Sequence, residues 1–529
     1  MMTRVTGFTF DWQIVPFALS ALLGLALAYN QPVAAIRFTL IMIGIALYLV
    51  CANARDTQTR SVCRALLIVL PALITLYFIA TNDWARSSNK LPLLNALPAL
   101  IGGVPQFNPN VVGGALAMLL PLQIKALQHH RRGIRFGLIA FTLLGLTLSL
   151  TRGAWLALAL VSGLWLAWRW LNQRTDESAN QRRGRWIWLA NVLALAMISG
   201  VVLFATPLGD QLLGLGGDRT NIWRNSVALA GDYPLSGFGL GGFEMAYSSY
   251  ALLTHVGHTM HAHNLWLNVW LEQGALGLIA LIGLVLNALW PRSNSSGWRM
   301  AALAALGVLL VHTLVDDPFY GYGGPLMSLV CVPLGLLHCQ STLPAETPRR
   351  AQPAFVLWAV AALGLVITVS LPQGRAAIEA NLGAIEQTRA ELSVYHWPEY
   401  GLQDVVRRSS AVDLRPAIQY YESALTIDPA NVTSNRRLGQ IELSLGNVDP
   451  ACDYLEHAYA AAPDQRASIQ LLGECYALRG DAGRAVQLWG AIDVSEGQLM
   501  ARQWWYGDYL GQIDRAAALT AAVAALNKN

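Results

Sequence analysis

Residues 134–170, IRFGLIAFTLLGLTLSLTRGAWLALALVSGLWLAWRW, contain two apolar runs joined by the short turn TRG at 151–153. Each run approaches the roughly 20 residues that a helix needs to cross the hydrocarbon core of a bilayer. Two such runs in succession predict an antiparallel pair of membrane spans. This stretch therefore indicates an all-α, polytopic transmembrane helical bundle.

Apolar runs of this kind recur through the first 372 of the 529 residues. This part has 23 Lys/Arg and 13 Asp/Glu, whereas residues 373–529 have 13 and 19, so only the second part approaches the charge of a soluble domain. The composition excludes a cytosolic enzyme and a nucleic-acid binder for the first part. We predict eleven spans, at 13–29, 33–51, 65–81, 109–124, 134–151, 153–170, 186–205, 263–289, 299–315, 325–338 and 354–371.

Lys and Arg positions orient these spans. If the N-terminus is inside, the predicted inner segments hold seventeen Lys/Arg and the outer segments hold five. Because cytoplasmic loops are enriched in these residues, the N-terminus is predicted to be inside. An odd number of spans then places the C-terminal part outside, so we predict a multi-pass protein of the cytoplasmic membrane.

Residues 373–529 carry an internal repeat. Between 413 and 500 the sequence aligns with itself at an offset of 34, which superimposes Ala417, Ala451 and Ala485. This period resembles the tetratricopeptide repeat, a pair of antiparallel helices. It predicts a soluble α-solenoid with full repeats at 432–465 and 466–499 after a half repeat. Since such repeats form contact surfaces, we expect a separable module that docks a protein partner.

Two cysteines, Cys452 and Cys475, lie in this predicted exported domain. They can form a disulfide in an oxidising compartment. Two small buried side chains are the alternative.

The candidate chemical groups fall on the predicted outer side. Arg152 lies at an apolar boundary, where its charge is costly unless it is paired or solvated, and a snorkelling anchor is the alternative.

The outer loop 206–262 is longer than an ordinary connection. It contains a predicted helix, 219–230, with Asp218 as N-cap. Arg219 in the first turn is unfavourable for the helix dipole and indicates a nearby anion.

A glycine-rich stretch follows this helix. Gly237, Gly239 and Gly242 fit the pattern G-x-G-x-x-G, but no strand precedes them, so we exclude dinucleotide binding. The glycines instead predict that the loop folds tightly onto the membrane surface.

Four histidines, His255, His258, His261 and His263, precede the eighth predicted span. No carboxylate or thiol accompanies them at ligand spacing, so we predict no metal site. His263 begins the span and is followed by Asn264. A neutral imidazole at this position can accept a proton.

Several motifs resemble those of the O-antigen ligase superfamily of bacterial membrane glycan transferases. His263 and Asn264, followed by Gly274 and Gly277, reproduce its H-[NSQ]-x9-G-x-x-G signature. The stretch DRTNIWRNSVALAGDYPLSGFGLGGF at 218–243 is similar to its outer-loop motif, and TRGAW and FNPNVVGGALAMLLPL are similar to two earlier motifs. The resemblance covers about residues 100–335. The chain departs from the common ligase plan by its eleven predicted spans and its added repeat domain.

This resemblance implies a GT-C-like domain over 1–372 that transfers a glycan from an undecaprenyl-diphosphate carrier, with inversion and without cofactor or metal. The acceptor is a hydroxyl of a glycan, a lipid or a protein, and the reaction takes place among membrane lipids at the outer face of the bacterial inner membrane. By resemblance, His263 is the base, and Arg152 and Arg219 stabilise the diphosphate. Further substrate-binding candidates are Arg224, Asn264 and Arg37, for which a snorkelling role is the alternative.

The superfamily leaves the acceptor open, because ligases, O-antigen or exopolysaccharide polymerases and protein O-oligosaccharyltransferases share these motifs. A transporter, or a membrane scaffold that recruits periplasmic partners, is the competing hypothesis. Transporters often have internal repeats and ionisable residues at the midplane. Here the two halves of the predicted membrane part show no internal repeat, and the polar candidates gather at the outer face. Both observations favour a transferase.

Overall fold

A computed structural model describes residues 11–54, 56–84, 99–172, 216–257, 259–290, 297–339, 353–396 and 398–528. Every regular element in these ranges is helical, which confirms the all-α class. The first part comprises α1 (Ile14–Leu27), α2 (Gln31–Ala52), α3 (Thr57–Thr81), α4 (Pro109–Ala126), α5 (Arg132–Ser149), α6 (Arg152–Asn172), α7 (Gly216–Asp232), α8 (Phe243–Tyr247), α9 (Leu265–Leu289), α10 (Gly297–Val315), α11 (Cys331–His338) and α12 (Pro353–Ser370). The C-terminal part comprises α13 (Pro372–Leu392), α14 (Gln403–Arg408), α15 (Arg415–Ile427), α16 (Val432–Leu445), α17 (Val448–Ala461), α18 (Arg466–Leu478), α19 (Ala482–Trp489), α20 (Glu496–Trp504) and α21 (Ile513–Leu526).

Six described helices are long and apolar enough to cross a membrane: α2, α3, α4, α5, α9 and α10. A seventh span results if α12 and α13, which meet at 93°, are counted together. Helices α1, α6 and the stretch 325–338 are apolar but shorter, and the predicted span 186–205 lies outside the described residues. The chain is thus a polytopic membrane protein, while the number eleven stays a prediction.

Helix α4 lies at the centre of this bundle. Its apolar window is 78% buried, against 28% for α2 and for α3, and it packs against α3, α5, α6 and α10. Glycines permit the closest contacts, because a Cβ at Gly113 would meet Thr151 and one at Gly114 would meet His312 and Pro318. These contacts hold the beginning of α6 near the end of α10, where the candidate site lies.

Helix α9 is broken at Gly274, whose φ of 69° lies in the left-handed region that favours glycine. A Cβ at this position would overlap the carbonyl oxygen of Leu235 in the predicted outer loop. Phe238 N donates to Leu271 O at 2.8 Å, and Ala275 N donates to Leu235 O at 3.2 Å. The glycine-rich stretch therefore packs into the break of α9, and its position at the membrane surface stays a prediction.

The C-terminal part is built from stacked helix pairs, α13 with α15, α16 with α17, and α18 with α19. The second helices place large side chains 34 residues apart, each against a glycine of the first helix of its pair: Tyr421 on Gly383, Leu455 on Gly439 and Trp489 on Gly473. One period of the sequence therefore equals one helix pair. The predicted half repeat, α15, is completed by α13. The assignment to the tetratricopeptide family stays a prediction.

A disulfide joins Cys452 of α17 to Cys475 of α18, with the Cα atoms 5.5 Å apart. It links two successive helix pairs. Of the two sequence alternatives for these cysteines, the structure has the bonded one.

Residues 232–255, which belong to the predicted outer loop and are here called the docked segment, lie against the first helices α13, α16 and α18. Arg436 and Arg437 both pair with the carboxylate of Asp232, the latter at 2.8 Å. Burial raises the pKa of Asp232, but the charges of the two guanidinium groups outweigh burial and lower the pKa below its ordinary value. The hydroxyl of Tyr250 donates to Glu391 Oε2 at 3.1 Å. An ionised, buried carboxylate thus fixes the docked segment.

A shared hydrophobic core joins the two parts of the chain. Tyr233 and Phe243 of the docked segment pack in one cluster with Ala384 and Ile385 of α13. This shared core argues against the expectation of a separable C-terminal module, because removal of the module would expose the core and leave Asp232 without its cations. A protein partner of the repeats would have to use a surface other than this filled face.

Replacing Asp232 by Ala should destabilise the protein by about 3–5 kcal/mol, because two buried guanidinium groups lose their counter-ion. All three side chains of this cluster are at most 1% exposed. The matched control, Asp413→Ala, breaks an exposed pair with Arg415 and should leave the unfolding midpoint near the parental value. Thermal unfolding of the purified full chain in detergent compares the two. Equal midpoints would contradict the anchoring role of Asp232.

Candidate active site

His263 lies just before α9 and is hydrogen-bonded to Asp316, 53 residues later in the chain. Its Nδ1 is 2.9 Å from Asp316 Oδ1. The φ of His263 is 50°, a left-handed conformation that costs a non-glycine residue about 1–3 kcal/mol. Asn264 caps α9, because its side-chain oxygen accepts from Trp266 N and Leu267 N at 3.0 and 3.1 Å. The start of α9 thus holds His263 in a strained backbone conformation, with its imidazole beside a carboxylate.

Asp316 follows α10 directly and is 5% exposed, whereas the side chain of His263 is 22% exposed. Burial raises the pKa of Asp316, but the hydrogen bond and charge of His263 outweigh burial and lower the pKa to about 2. An ionised carboxylate accepts a proton carried on Nδ1, and this tautomer leaves the Nε2 lone pair to accept a proton. In this arrangement the pair can supply a general base together with a group that orients it.

Three further groups contact Asp316. Asn110 Nδ2 donates to it at 3.1 Å, the backbone N of Asp317 donates at 2.9 Å, and the guanidinium of Arg219 lies 4.0 Å away. Arg219 also donates from Nη1 to Val315 O at 2.6 Å. Helices α4, α7 and α9 thus converge on the end of α10.

A second carboxylate, Asp317, fixes the loop after α10. It accepts from Tyr320 N at 3.0 Å and from the side chain of Asn268, which in turn accepts from Ala262 N at 2.8 Å. Burial raises the pKa of Asp317 to about 6. Because these bonds tie the loop to the residue before His263, Asp317 positions the His263–Asp316 pair.

Helix α7 extends beyond the start predicted from the sequence. Its described part includes Gly216, so Asp218 lies within the helix and its predicted N-cap role is wrong. The side chain of Arg219 is 30% exposed. It therefore lies beside the His263–Asp316 pair with part of its guanidinium accessible.

Arg152 opens α6 and is exposed. The preceding Thr151 donates to Pro109 O at 3.1 Å, next to the Asn110 that holds Asp316. Among the described residues Arg152 has no ion-pair partner. Its guanidinium is thus available to an anion at the same end of the bundle as Arg219.

The remaining sequence candidates have other contacts. Arg37 Nη1 contacts both Glu272 oxygens, at 3.0 and 3.1 Å, and donates to Tyr320 O at 2.9 Å, so its guanidinium is held by an ion pair within the protein. Asn264 caps α9 and donates from Nδ2 to Leu314 O at 3.3 Å. Arg224 is exposed on the face of α7 toward the repeats.

The other histidines occupy two environments, and His258 lies outside the described residues. Nδ1 of His261 accepts from His263 N at 3.1 Å, and the two rings are 4.2 Å apart. Burial and, to a smaller extent, the charge of His263 together lower the pKa of His261 to about 3. His255 accepts from Gln403 N at 3.3 Å, within the contact with the repeats.

His261, His263 and Asp316 also form a group whose ligand atoms lie within 4.8 Å of one another, so they can hold a metal ion. The sequence argument against a metal, that no carboxylate stands near the histidines, is therefore wrong, because folding brings Asp316 to them. The hydrogen bonds described above already use both Nδ1 atoms and Asp316 Oδ1. A metal would have to compete with these bonds.

Asp316 and Asn110 are absent from the site predicted from sequence. A signal for Asp316 exists in VDDP at 315–318, where two carboxylates directly follow an apolar run in a part of the chain with few acidic residues. Asn110 gives no such signal, because its role depends on the packing of α4 against α10.

Residues 137–282 match the protein-family model described as O-antigen ligase. The matched range includes Arg152, Arg219 and His263 and ends before Asp316 and the repeats. No curated protein and no solved structure matches the chain.

Diethyl pyrocarbonate, which modifies free imidazole nitrogens, should modify His263 much faster than His261, because His261 is only 2% exposed. Exposed His457 serves as the reference for full reactivity. Mass spectrometry of peptides from the purified full chain measures the three rates. Prior treatment with a chelator should not change the rate at His263. Acceleration by the chelator would contradict the hydrogen-bonded pair and indicate a bound metal.

Proposed function

We propose that this chain transfers a glycan from undecaprenyl diphosphate to an acceptor hydroxyl, as a member of the O-antigen ligase superfamily, whose family model residues 137–282 match. The observation that carries the proposal is the convergence of His263, Asp316 and Arg219 at the end of α10. A base with its orienting carboxylate stands there beside a cation. Transfer from a lipid diphosphate requires these two functions.

In the proposed step, Nε2 of His263 removes the proton of the acceptor hydroxyl. The hydroxyl oxygen attacks the anomeric carbon, and the bond from this carbon to the diphosphate oxygen breaks, with inversion at carbon. The carrier diphosphate leaves with the electron pair of that bond. Asp316 stabilises the imidazolium that forms and keeps Nε2 directed to the acceptor. A general base of this kind contributes about 10²–10⁴ to the rate.

The leaving diphosphate gains negative charge, which Arg219 and Arg152 are proposed to stabilise. Arg219 uses Nη1 for Val315 O, and this bond orients its planar fork. A guanidinium can hold two phosphate oxygens at once, which a lysine cannot. The loss of one such donor from an oxyanion site costs about 10²–10³ in turnover.

The acceptor is proposed to be a lipid-linked sugar, as in a ligase. A growing polysaccharide and a protein side chain are the alternatives, because each presents a hydroxyl to the same base. The proposed reaction needs no cofactor. A transporter or scaffold has less support, since the polar groups described above converge at one end of the bundle.

The proposed orientation in the bacterial inner membrane has eleven spans, the N-terminus inside and the repeats outside. The seventeen-to-five distribution of Lys/Arg supports it, and a disulfide between Cys452 and Cys475 suits an oxidising outer compartment. Alkaline phosphatase fused after Asn529 should therefore be active. A cytoplasmic reporter active at the same position would overturn the orientation.

Cells that lack the gene should accumulate lipid-linked glycan and lose one class of glycoconjugate, and the parental chain should restore it. His263→Ala should resemble the empty vector, because the base is lost, although the protein is present in the membrane. Mass spectrometry of lipid-linked glycans, lipopolysaccharide and glycoproteins identifies which acceptor class changes. A parental level of that glycoconjugate in cells that carry His263→Ala would contradict the proposal.

Purified variants separate the roles of the site residues. Arg219→Ala should lower both donor affinity and turnover, and Arg219→Lys should recover only part of the loss. Asp316→Asn should lower turnover with little change in donor KM, since Asp316 contacts the base and not the donor. His457→Ala and Arg415→Lys, both exposed on the repeats, are matched controls. Equal losses in KM for Arg219→Ala and Asp316→Asn would contradict this division.

A further inference from the structure

A cleft of about 780 Å³ lies between α7 and the repeats. One wall is a single face of α7, which is lined by Thr220, Trp223, Arg224 and Val227. These residues are adjacent or three to four positions apart, so they share one side of the helix. The opposite wall is formed by the turns that lead into α16 and α18. The volume falls within the usual range of ligand sites, about 300–1,000 Å³.

This cleft begins one helical turn from the candidate active site. Trp223 follows Arg219 by four residues, so the two are neighbours on α7. From Thr220 to Gly231 the helix face is about 17 Å long, at 1.5 Å per residue. A chain whose diphosphate end lies at Arg219 can therefore continue along α7 between the two walls.

The wall formed by the repeats presents similar polar groups at a regular interval. Asn431 and Gln465, 34 residues apart, occupy equivalent turns in two successive helix pairs. Their side-chain oxygens accept from Ser434 N at 2.9 Å and from Ser468 Oγ at 2.6 Å, so their amide nitrogens remain as donors. The exposed carboxylate of Asp464 adds an acceptor. Equivalent polar turns one repeat apart suit a polymer with recurring hydroxyl groups.

The α7 wall adds an aromatic ring and a cation. The indole N–H of Trp223 is buried, and the described residues supply no acceptor for it. Arg224 and Val227 beside it are exposed. Sugar rings combine apolar C–H faces with a rim of hydroxyls, so their apolar faces can pack on the indole while their hydroxyls meet the polar groups beside it. A polypeptide fits this cleft less well as a ligand. The repeats contact a polypeptide through the face of their first helices, and that face already holds the docked segment.

We propose that this cleft binds the oligosaccharide chain beyond the reacting sugar and thereby makes transfer dependent on chain length. The inference rests on the proposed function, and it assigns to the repeats a share in substrate binding. The chain can belong to the donor or to a glycan acceptor, since both present the same chemistry to the cleft.

The test uses Val227→Trp, which fills the cleft from a side chain that is 51% exposed and so leaves the core intact. Ile513→Trp, at a 66% exposed position on the repeats away from the cleft, is the matched control. Donors are lipid-linked glycans extracted from cells that lack the gene and fractionated by length. We expect Val227→Trp to raise KM about tenfold for long donors, equivalent to about 1.4 kcal/mol, and to leave KM for single-unit donors unchanged. Asp464→Ala should act in the same direction.

The same measurements with glycan acceptors of two lengths identify the source. A loss that grows with the length of either donor or acceptor chain supports the cleft as a glycan site and names which chain it binds. An equal loss at all lengths, no loss at any length, or a loss that follows only the length of a protein acceptor overturns the inference. If the parental chain transfers nothing from any lipid-linked donor, the proposed function fails instead.

Discussion

The buried carboxylate of Asp316 is the constraint on which the site depends. An ionised group with 5% exposure is stable only if hydrogen bonds and positive charge surround it. Here these come from Asn110 on α4, Arg219 on α7, His263 before α9 and the next backbone amide. The need to satisfy one carboxylate therefore brings three helices to the end of α10 and orients the imidazole.

A second buried carboxylate, Asp232, fixes the other end of α7. The helix thus runs from Arg219, near Asp316, to Asp232, held by Arg436 and Arg437, a distance of about 20 Å at 1.5 Å per residue. Since the two arginines belong to the repeats, the C-terminal part helps to position a helix of the site. This explains why the docked segment and α13 share a hydrophobic core.

The break of α9 at Gly274 connects the same loop to the membrane helices. A regular helix satisfies its own backbone groups, but the break lets Leu271 O and Ala275 N bond to the glycine-rich stretch instead. Both glycines of the His263 signature can thus be understood as packing positions: Gly274 admits the loop, and Gly277 lies close to Ser20 of α1. The motif combines one candidate chemical residue with the geometry that holds it.

The sequence by itself determined the helical class, the membrane character and the 34-residue period, and it supplied the resemblance to the O-antigen ligase family together with the candidates His263, Arg152 and Arg219. Apolar periodicity, repeat spacing and short motifs are local in the chain, so they can be recognised without a fold. Only the tertiary structure decided that Asp316 is the partner of His263, that Arg37 is held in an ion pair with Glu272, and that the repeats enclose the docked segment. These contacts join residues 53, 235 and about 200 positions apart. Such distant contacts depend on how the helices pack, and no local pattern of residues encodes that packing.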